Sequence, residues 1–205
     1  MDTRNQAAAA GICAPALYVL TVVLGGILWP DYSHLRDPIS LLASKGAPQF
    51  LLMNVMFAAY DVLLSLFGVL WWSCARSSSR PGRSAGLYLV VIGGLGIAMF
   101  AFPQDMSGSP VSTAGAIHIA LAAAMSLLTM AVILVRGRAE MRLPGKRGAA
   151  LYSFVSLGYV FVTGALAGIG VAQHWALAGL LERCTIGAFL LWVLTEAWMI
   201  SKRAI

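Results

Sequence analysis

Six apolar runs, each long enough to cross a membrane, decide what this chain can fold into. A crossing needs about 17 to 25 apolar residues, because the hydrocarbon core is about 30 Å thick. Charged residues make up only 11% of the chain, less than half of the roughly 25% typical of soluble domains. Lipid offers no partner for an open strand edge, so the runs must be helices. We therefore expect an all-α integral membrane bundle, with residues 1–205 forming one domain. The predicted spans are 11–29, 50–73, 86–103, 113–135, 149–171 and 176–200.

Six helices that cross in alternating directions form a bundle with two ends, and the basic residues are distributed unevenly between these ends. Eleven of the fourteen Lys and Arg residues lie at one end, and the other end carries Arg36 and Lys45, with Arg183 inside the last run. This positive-inside pattern predicts cytoplasmic termini in a bacterial inner membrane, with the first run retained as a helix. The basic residues would touch anionic lipid headgroups, and we expect no binding to nucleic acid. The eleven residues are Arg4, Arg76, Arg80, Arg83, Arg136, Arg138, Arg142, Lys146, Arg147, Lys202 and Arg203.

Scarce polar side chains collect at the opposite, outer end. All three histidines fall there: His34 in the first outer loop, His118 early in the fourth run and His174 before the sixth. Asp105 and the neighbouring pair Glu182 and Arg183 lie in the same half. A cluster of this kind predicts an outward-facing polar pocket.

Asp61 is the most costly residue in the chain, because an ionised side chain at the bilayer centre costs roughly 2.5 to 3.5 kcal/mol. It shares one helical face with Asn54, Ser65 and Gly68, and this face should point into the bundle. Arg183 is the expected counter-charge, with Glu182 beside it. The pair could simply fix helix register, or these residues and His118 could line a cavity. A neutral Asp61 that needs no counter-charge is the third alternative.

The segment "DPISLL" predicts a short interfacial helix between the first two spans. Asp37 would be its N-cap and Pro38 its first residue. Ile39, Leu41 and Leu42 then form an apolar surface suited to lying on lipid or on the neighbouring spans.

His118 has Gly115 and Ala122 on its helical face, so it is either a hydrogen-bonded packing residue or a ligand contact. No second histidine follows four residues later, which excludes a metal site on one helix. We expect no metal and no cofactor, although His34, His118, His174 and Asp105 together remain weak metal candidates. The three cysteines lie at different ends of the bundle, so we expect no disulfide.

Four segments resemble a known family. They are "WPDYSHLRDPISLLAS" after the first run, "FPQD" closing the third, "GAIHIALA" in the fourth and "GLLERCTIGAFLLWVL" in the sixth. They resemble the bacterial and archaeal membrane proteins grouped as domain of unknown function 998, over about residues 11–200. The resemblance implies six helices and an unassigned biochemistry, and "LLASKGAP" departs from a family pattern with Leu-Gly after the Ser. The matching positions are Tyr32, Ser33, Asp37, Ser40, Pro103, Asp105, His118, Glu182 and Arg183.

The first functional hypothesis is a binding protein whose partners are membrane lipids or another amphiphile, or a scaffold without a ligand. Apolar walls with a few convergent polar groups are the usual form of such a pocket. Its lining would be Tyr32, Ser33, Ser40, Asp61, His118, Glu182 and Arg183.

The second hypothesis is an intramembrane lipid hydrolase or transferase, distantly similar to ceramidase-like membrane hydrolases. His118 would be the general base, Asp105 or Glu182 its orienting or acid partner, and Ser33 or a metal-bound water the nucleophile. A third hypothesis is a small transporter that uses Asp61 and Arg183, although no internal repeat is visible.

Overall fold

The computed structural model describes residues 2–75, 80–106 and 108–202. Arg76 and Arg203 of the basic end lie outside these ranges. Within them the chain contains six long helices and no strand, and each helix includes a segment long and apolar enough to cross a membrane. The expected all-α fold with six spans is confirmed, and the chain is a multi-pass membrane protein. The helices are α1 Thr3–Ile27, α2 Phe50–Cys74, α3 Arg80–Met99, α4 Thr113–Met141, α5 Arg147–Ala172 and α6 Ala178–Lys202.

Two helices extend well beyond the predicted spans. α1 begins at Thr3, where the Asp2 carboxylate caps the Arg4 amide at 3.4 Å. α4 continues to Met141, because Arg, Ala, Glu and Met favour helix even outside hydrocarbon. Apolar runs mark the part of a helix that lipid surrounds and say little about where the helix ends. The extension of α4 places Arg136 and Glu140 one helical turn apart.

The six helices form a closed ring. Each helix packs against its neighbours in sequence, and α6 returns to pack against α1. Consecutive helices run antiparallel in such a ring, so the start of α1 and the end of α6 lie at one end, which we term the terminal end. The opposite, far end carries the connections 28–49, 100–106, 108–112 and 173–177. Phe67, Trp71 and Trp192 are buried in the main apolar core.

α2 and α3 approach closely because glycines face each other across their contact. A Cβ atom added to Gly68 would lie 2.6 Å from the carbonyl oxygen of Gly86. Neither position therefore has room for a side chain, and the two backbones touch directly.

The same face of α2 continues with polar residues that rest on further glycines of α3. A Cβ on Gly96 would collide with the Asp61 carboxyl group, and a Cβ on Gly93 would collide with the Ser65 hydroxyl. The prediction that Asp61 and Ser65 share a face pointing into the bundle is confirmed. That face meets α3.

A five-residue 3-10 helix, Ile39–Ala43, closes the far end of the ring between α1, α2 and α6. Ile39, Leu41 and Leu42 are all buried. Because these apolar side chains pack against protein, the structure gives no support to the interfacial helix predicted here.

We predict that Gly86→Ala destabilises the protein, because the added methyl group would collide with the Gly68 carbonyl oxygen and with Trp72. Overpacking of this kind costs about 1 to 3 kcal/mol of unfolding free energy, measurable by denaturant titration in detergent. Gly94→Ala in the same helix is the control, since a Cβ there meets nothing within 4 Å. Equal stability of the two variants would show that α2 and α3 can separate freely.

Candidate functional site

Arg183 connects the start of α6 to the first far-end loop. Its Nη1 donates to the carbonyl oxygens of Asp37 at 2.9 Å and Gly179 at 2.8 Å, and Nη2 donates to the Tyr32 hydroxyl. The guanidinium lies over the Tyr32 ring, 5.4 Å from its centroid. Its Nε is buried without a hydrogen-bond partner. Among the described residues no carboxylate oxygen lies within 4.0 Å of this guanidinium.

The expected ion pair between Asp61 and Arg183 is therefore wrong. Asp61 lies in the contact of α2 with α3, whereas Arg183 bonds to oxygens of the loop and of its own helix. The positions of Asp61 and Arg183 in the sequence indicate that both residues lie inside the bundle. They do not determine the direction in which the Arg183 side chain points.

The 3-10 helix is held at both ends by side chains of the long helices. The Glu182 Oε2 atom accepts a hydrogen bond from the Ile39 amide at 2.8 Å, which satisfies one of the orphan donors of a helix start. At the other end the Asn54 Nδ2 atom donates to the Ala43 carbonyl at 3.1 Å. Both residues thus position the segment that closes the ring.

Asp37 does not cap the 3-10 helix, so this prediction is wrong. Its Oδ2 atom accepts from the Ser33 amide at 2.8 Å, and Oδ1 accepts from Arg36 Nε at 2.8 Å. Burial raises the pKa of Asp37, but the hydrogen bonds from Arg36 and Ser33 outweigh burial and bring the pKa below its usual value. The Ser33 hydroxyl accepts from the Arg36 amide at 3.4 Å, so all three residues shape one turn.

Tyr32 lies beneath that turn. Its hydroxyl donates to the Pro38 carbonyl at 3.0 Å and accepts from Arg183. Burial raises the pKa of Tyr32 to about 12, although the charge of Arg183 acts in the opposite direction. The phenol is therefore neutral and serves as a hydrogen-bonding link between loop and helix.

A second polar group surrounds the start of α4. His118 Nδ1 lies 3.0 Å from the Phe102 carbonyl oxygen, and since a carbonyl only accepts, Nδ1 carries the proton. The Asp105 carboxylate accepts from the Ser112 amide and hydroxyl, both at 2.8 Å. These two hydrogen bonds lower the pKa of Asp105. Ser112 in turn caps α4 by accepting from the Gly115 amide at 3.1 Å.

The residues proposed for catalysis fall into these two separate groups. Ser33 and Glu182 belong to the first loop and α6, whereas Asp105 and His118 belong to the α3–α4 connection. Within the described ranges, no hydrogen bond joins Asp105 to His118 or links either of them to the first group. Ser40 lies half-buried in the 3-10 helix, and its carbonyl accepts from the Ser44 hydroxyl at 3.4 Å.

The structure does not bring together the histidines that were weak candidates for a metal site. His34 is exposed, packs on Gly26 and meets the Tyr32 ring edge-on at 5.3 Å. His174 is exposed at the end of α5, with a left-handed φ of 56°. In the part of the chain that the structure describes, no three His, Cys, Asp or Glu residues lie where they could hold one metal ion.

Tyr18 of α1 belongs to the ring interior and was not predicted. Its ring packs on Tyr60 with the centroids 4.8 Å apart. Its phenol lies within electrostatic range of Tyr32, Asp61 and Glu182. An aromatic residue inside an apolar run gives no signal of its own, so only the fold reveals that Tyr18 lies between these groups.

Arg136 forms a buried ion cluster in the half of the ring nearer the termini. Its Nη2 atom lies 2.8 Å from Glu140 Oε1 and 2.8 Å from Glu196 Oε2, and Nε donates to Glu196 Oε1 at 3.2 Å. The three residues are 2%, 1% and 1% exposed. Counting Arg136 among the loop cations is therefore wrong, because α4 extends past it and turns it inward. The spacing of four between Arg136 and Glu140 is the signal that could have indicated a pair.

Neighbouring helices contribute polar and aromatic contacts to this cluster. The Arg136 guanidinium lies 5.3 Å from the centroid of the Trp71 ring. The Ser153 hydroxyl donates to Glu140 at 3.4 Å and accepts from the Trp192 indole at 3.2 Å. The cluster consequently ties together α2, α4, α5 and α6.

A groove of about 430 Å³ lies between α1 and α2. Its lining is mostly apolar and includes none of the residues predicted to form the site. The lining residues are Gln6, Ala9, Ala10, Cys13, Leu63, Leu66 and Leu70.

The fold and its internal polar groups define a multi-pass, six-helix membrane protein whose far end is closed by the first loop. A family model described as "Protein of unknown function (DUF998)" matches residues 12–199, and the chain belongs to this family, as the sequence motifs predicted. No curated protein and no solved structure matches the chain.

We predict that Arg136→Gln lowers the unfolding free energy by about 3 to 5 kcal/mol, because it leaves two buried carboxylates without their cation. Denaturant titration in detergent measures the loss. Arg138→Gln on the exposed face of the same helix is the control and should be nearly neutral. A small effect of Arg136→Gln would mean that the cluster does not hold the helices together.

We also predict that Glu182→Ala loosens the 3-10 helix, while Glu182→Gln retains an oxygen acceptor for the Ile39 amide. A hydrogen bond to a charged group contributes about 1.5 to 3 kcal/mol, so the opened fraction should rise about tenfold or more. The measurement is the alkylation rate of a cysteine at Leu42→Cys, with Cys13, Cys74 and Cys184 replaced by alanine. Identical alkylation rates in both Glu182 variants and the parent would contradict the prediction that Glu182 holds the 3-10 helix in place.

Proposed function

We propose that the far end of the ring binds the anionic headgroup of a membrane amphiphile, with Arg183 as the principal contact. This proposal rests on one observation: the guanidinium of Arg183 has no carboxylate partner. Its hydrogen bonds run to neutral oxygens, and Nε has no partner at all. A partly buried cation left without an anion is costly, and an incoming phosphate or carboxylate would offset that cost through charge-assisted hydrogen bonds.

Glu182 does not neutralise this cation directly. Its carboxylate is hydrogen-bonded to the Ile39 amide, and it acts on Arg183 only through space. Asp37 likewise presents its carbonyl oxygen to Arg183 and its carboxylate to Arg36. The carboxylates of Glu182 and Asp37 are therefore bonded to other groups, and the positive charge of Arg183 remains available to a ligand.

The depth of Arg183 suits a headgroup. It is the sixth residue of α6, so its Cα lies roughly 8 Å below the start of the helix, taking 1.5 Å per residue, and the side chain reaches the loop. Of the predicted lining, we retain Tyr32, Ser33 and Ser40 as polar neighbours of the headgroup. Glu182 holds the segment that closes the site. Apolar surfaces of the helices would receive the tail.

The orientation in the membrane belongs to the same proposal. Arg138, Arg142 and Arg147 are exposed at the terminal end, as cations on the cytoplasmic side should be. We assign the termini to the cytoplasm of a bacterial inner membrane, so that the proposed headgroup site opens toward the outer leaflet.

We predict that Arg183→Gln weakens binding of phosphatidylglycerol about 10-fold to 100-fold, as expected for the loss of a charge-assisted hydrogen bond worth about 1.5 to 3 kcal/mol. Native mass spectrometry of the detergent-solubilised protein measures lipid occupancy, and binding of phosphatidylcholine provides the baseline.

The control is Lys45→Gln, which removes an exposed cation from the same end of the ring. It should leave the preference for phosphatidylglycerol unchanged. An unchanged preference in Arg183→Gln, with the variant folded as judged by its melting temperature, would disprove the proposed site.

A further inference from the structure

Asp61 differs from the other deeply buried carboxylates in what surrounds it. It is 5% exposed, and among the described residues it has neither a hydrogen-bond partner nor a cation within 4.0 Å. Glu140 and Glu196 are each 1% exposed and share the guanidinium of Arg136. The same chemical group is thus paired in one half of the ring and unpaired in the other.

The elements around Asp61 supply no positive charge. α3 presents the backbone of Gly96 to the carboxyl group, and the amides of that helix are already bonded within it. Between Ser84 and Met99, α3 carries Tyr88 as its sole titratable side chain. α1 contributes Tyr18 and α2 contributes Tyr60, both within electrostatic range. Both side chains are phenols, and Tyr18 also lies within electrostatic range of Glu182, an acid.

The depth of Asp61 makes this isolation costly. It is the twelfth of the 25 residues of α2, so about 16 Å of helix lie on one side and about 20 Å on the other, at 1.5 Å per residue. A charge at the middle of a membrane-spanning helix normally has a partner or a water-filled cavity. A buried carboxyl without a charged partner is favoured in its uncharged form.

We propose that Asp61 is a proton-binding site inside the ring. Its ligand is one proton, held on the carboxyl group in the contact of α2 with α3. Uptake converts the carboxylate to the neutral acid and changes no other bond, so no further reactant is needed. Release places a negative charge against the backbone of Gly96. The site is independent of the lipid site proposed at Arg183.

Infrared difference spectroscopy tests this proposal directly. At about pH 7 a carboxyl group in water is ionised, whereas Asp61 should show the carbonyl stretch of a protonated carboxylic acid. We expect this band in the spectrum of wild type minus Asp61→Asn, and we expect it to shift in D₂O. The spectrum of wild type minus Glu196→Gln, which removes a paired and even more deeply buried carboxylate, should show carboxylate bands instead. The proposal is overturned if the protonated-acid band is absent from the Asp61 difference spectrum.

A stability measurement accompanies the spectra. Asn has nearly the shape of the neutral acid, so Asp61→Asn should melt at the wild-type temperature within experimental error. Failure of this variant to fold would count against a neutral Asp61, because it would mean that the negative charge is needed in the native structure. Loss of phosphatidylglycerol binding in Arg183→Gln has no bearing on either result.

Discussion

The ion cluster of Arg136, Glu140 and Glu196 is the interaction on which the rest of the structure depends. Ionised groups inside a bundle of this kind are tolerated only while they remain paired, and removing one partner leaves the others uncompensated. The cluster draws together α4 and α6 directly, α5 through Ser153 and α2 through Trp71. Separating these helices would expose charge, so this half of the ring is fixed by electrostatics as well as by packing.

The far end is built on a different principle. There the polar side chains mostly bond to the backbone: Glu182 to the Ile39 amide, Asn54 to the Ala43 carbonyl and Arg183 to the Asp37 carbonyl. Each of these contacts is a single bond to a loop or a short helix, and each can be exchanged for a bond to water or to a ligand. A ring with one end held by buried charges and the other closed by a hydrogen-bonded segment can adapt at the second end without losing its fold.

Much of the fold could be predicted, because bilayer thickness sets helix length and the period of the α-helix sets which residues share a face. Asp61 and Ser65 were correctly placed together on that basis. The contacts of Arg136 could not be predicted from hydropathy, since α4 continues beyond its apolar run. The partners of Arg183 depend on the direction of one flexible side chain, and the link from Glu182 to Ile39 spans 143 residues. Neither of these contacts can be predicted from the local sequence pattern.

That long-range link also constrains the order of assembly. The carboxylate that caps the 3-10 helix belongs to α6, and Glu182 leaves the ribosome 143 residues after Ile39. Because chains fold as they emerge, N-terminal portions first, the loop between α1 and α2 cannot reach its final form until α6 has been inserted. The closed far end thus depends on α6, and a nascent protein that stops after α5 would lack the carboxylate that holds the 3-10 helix in place.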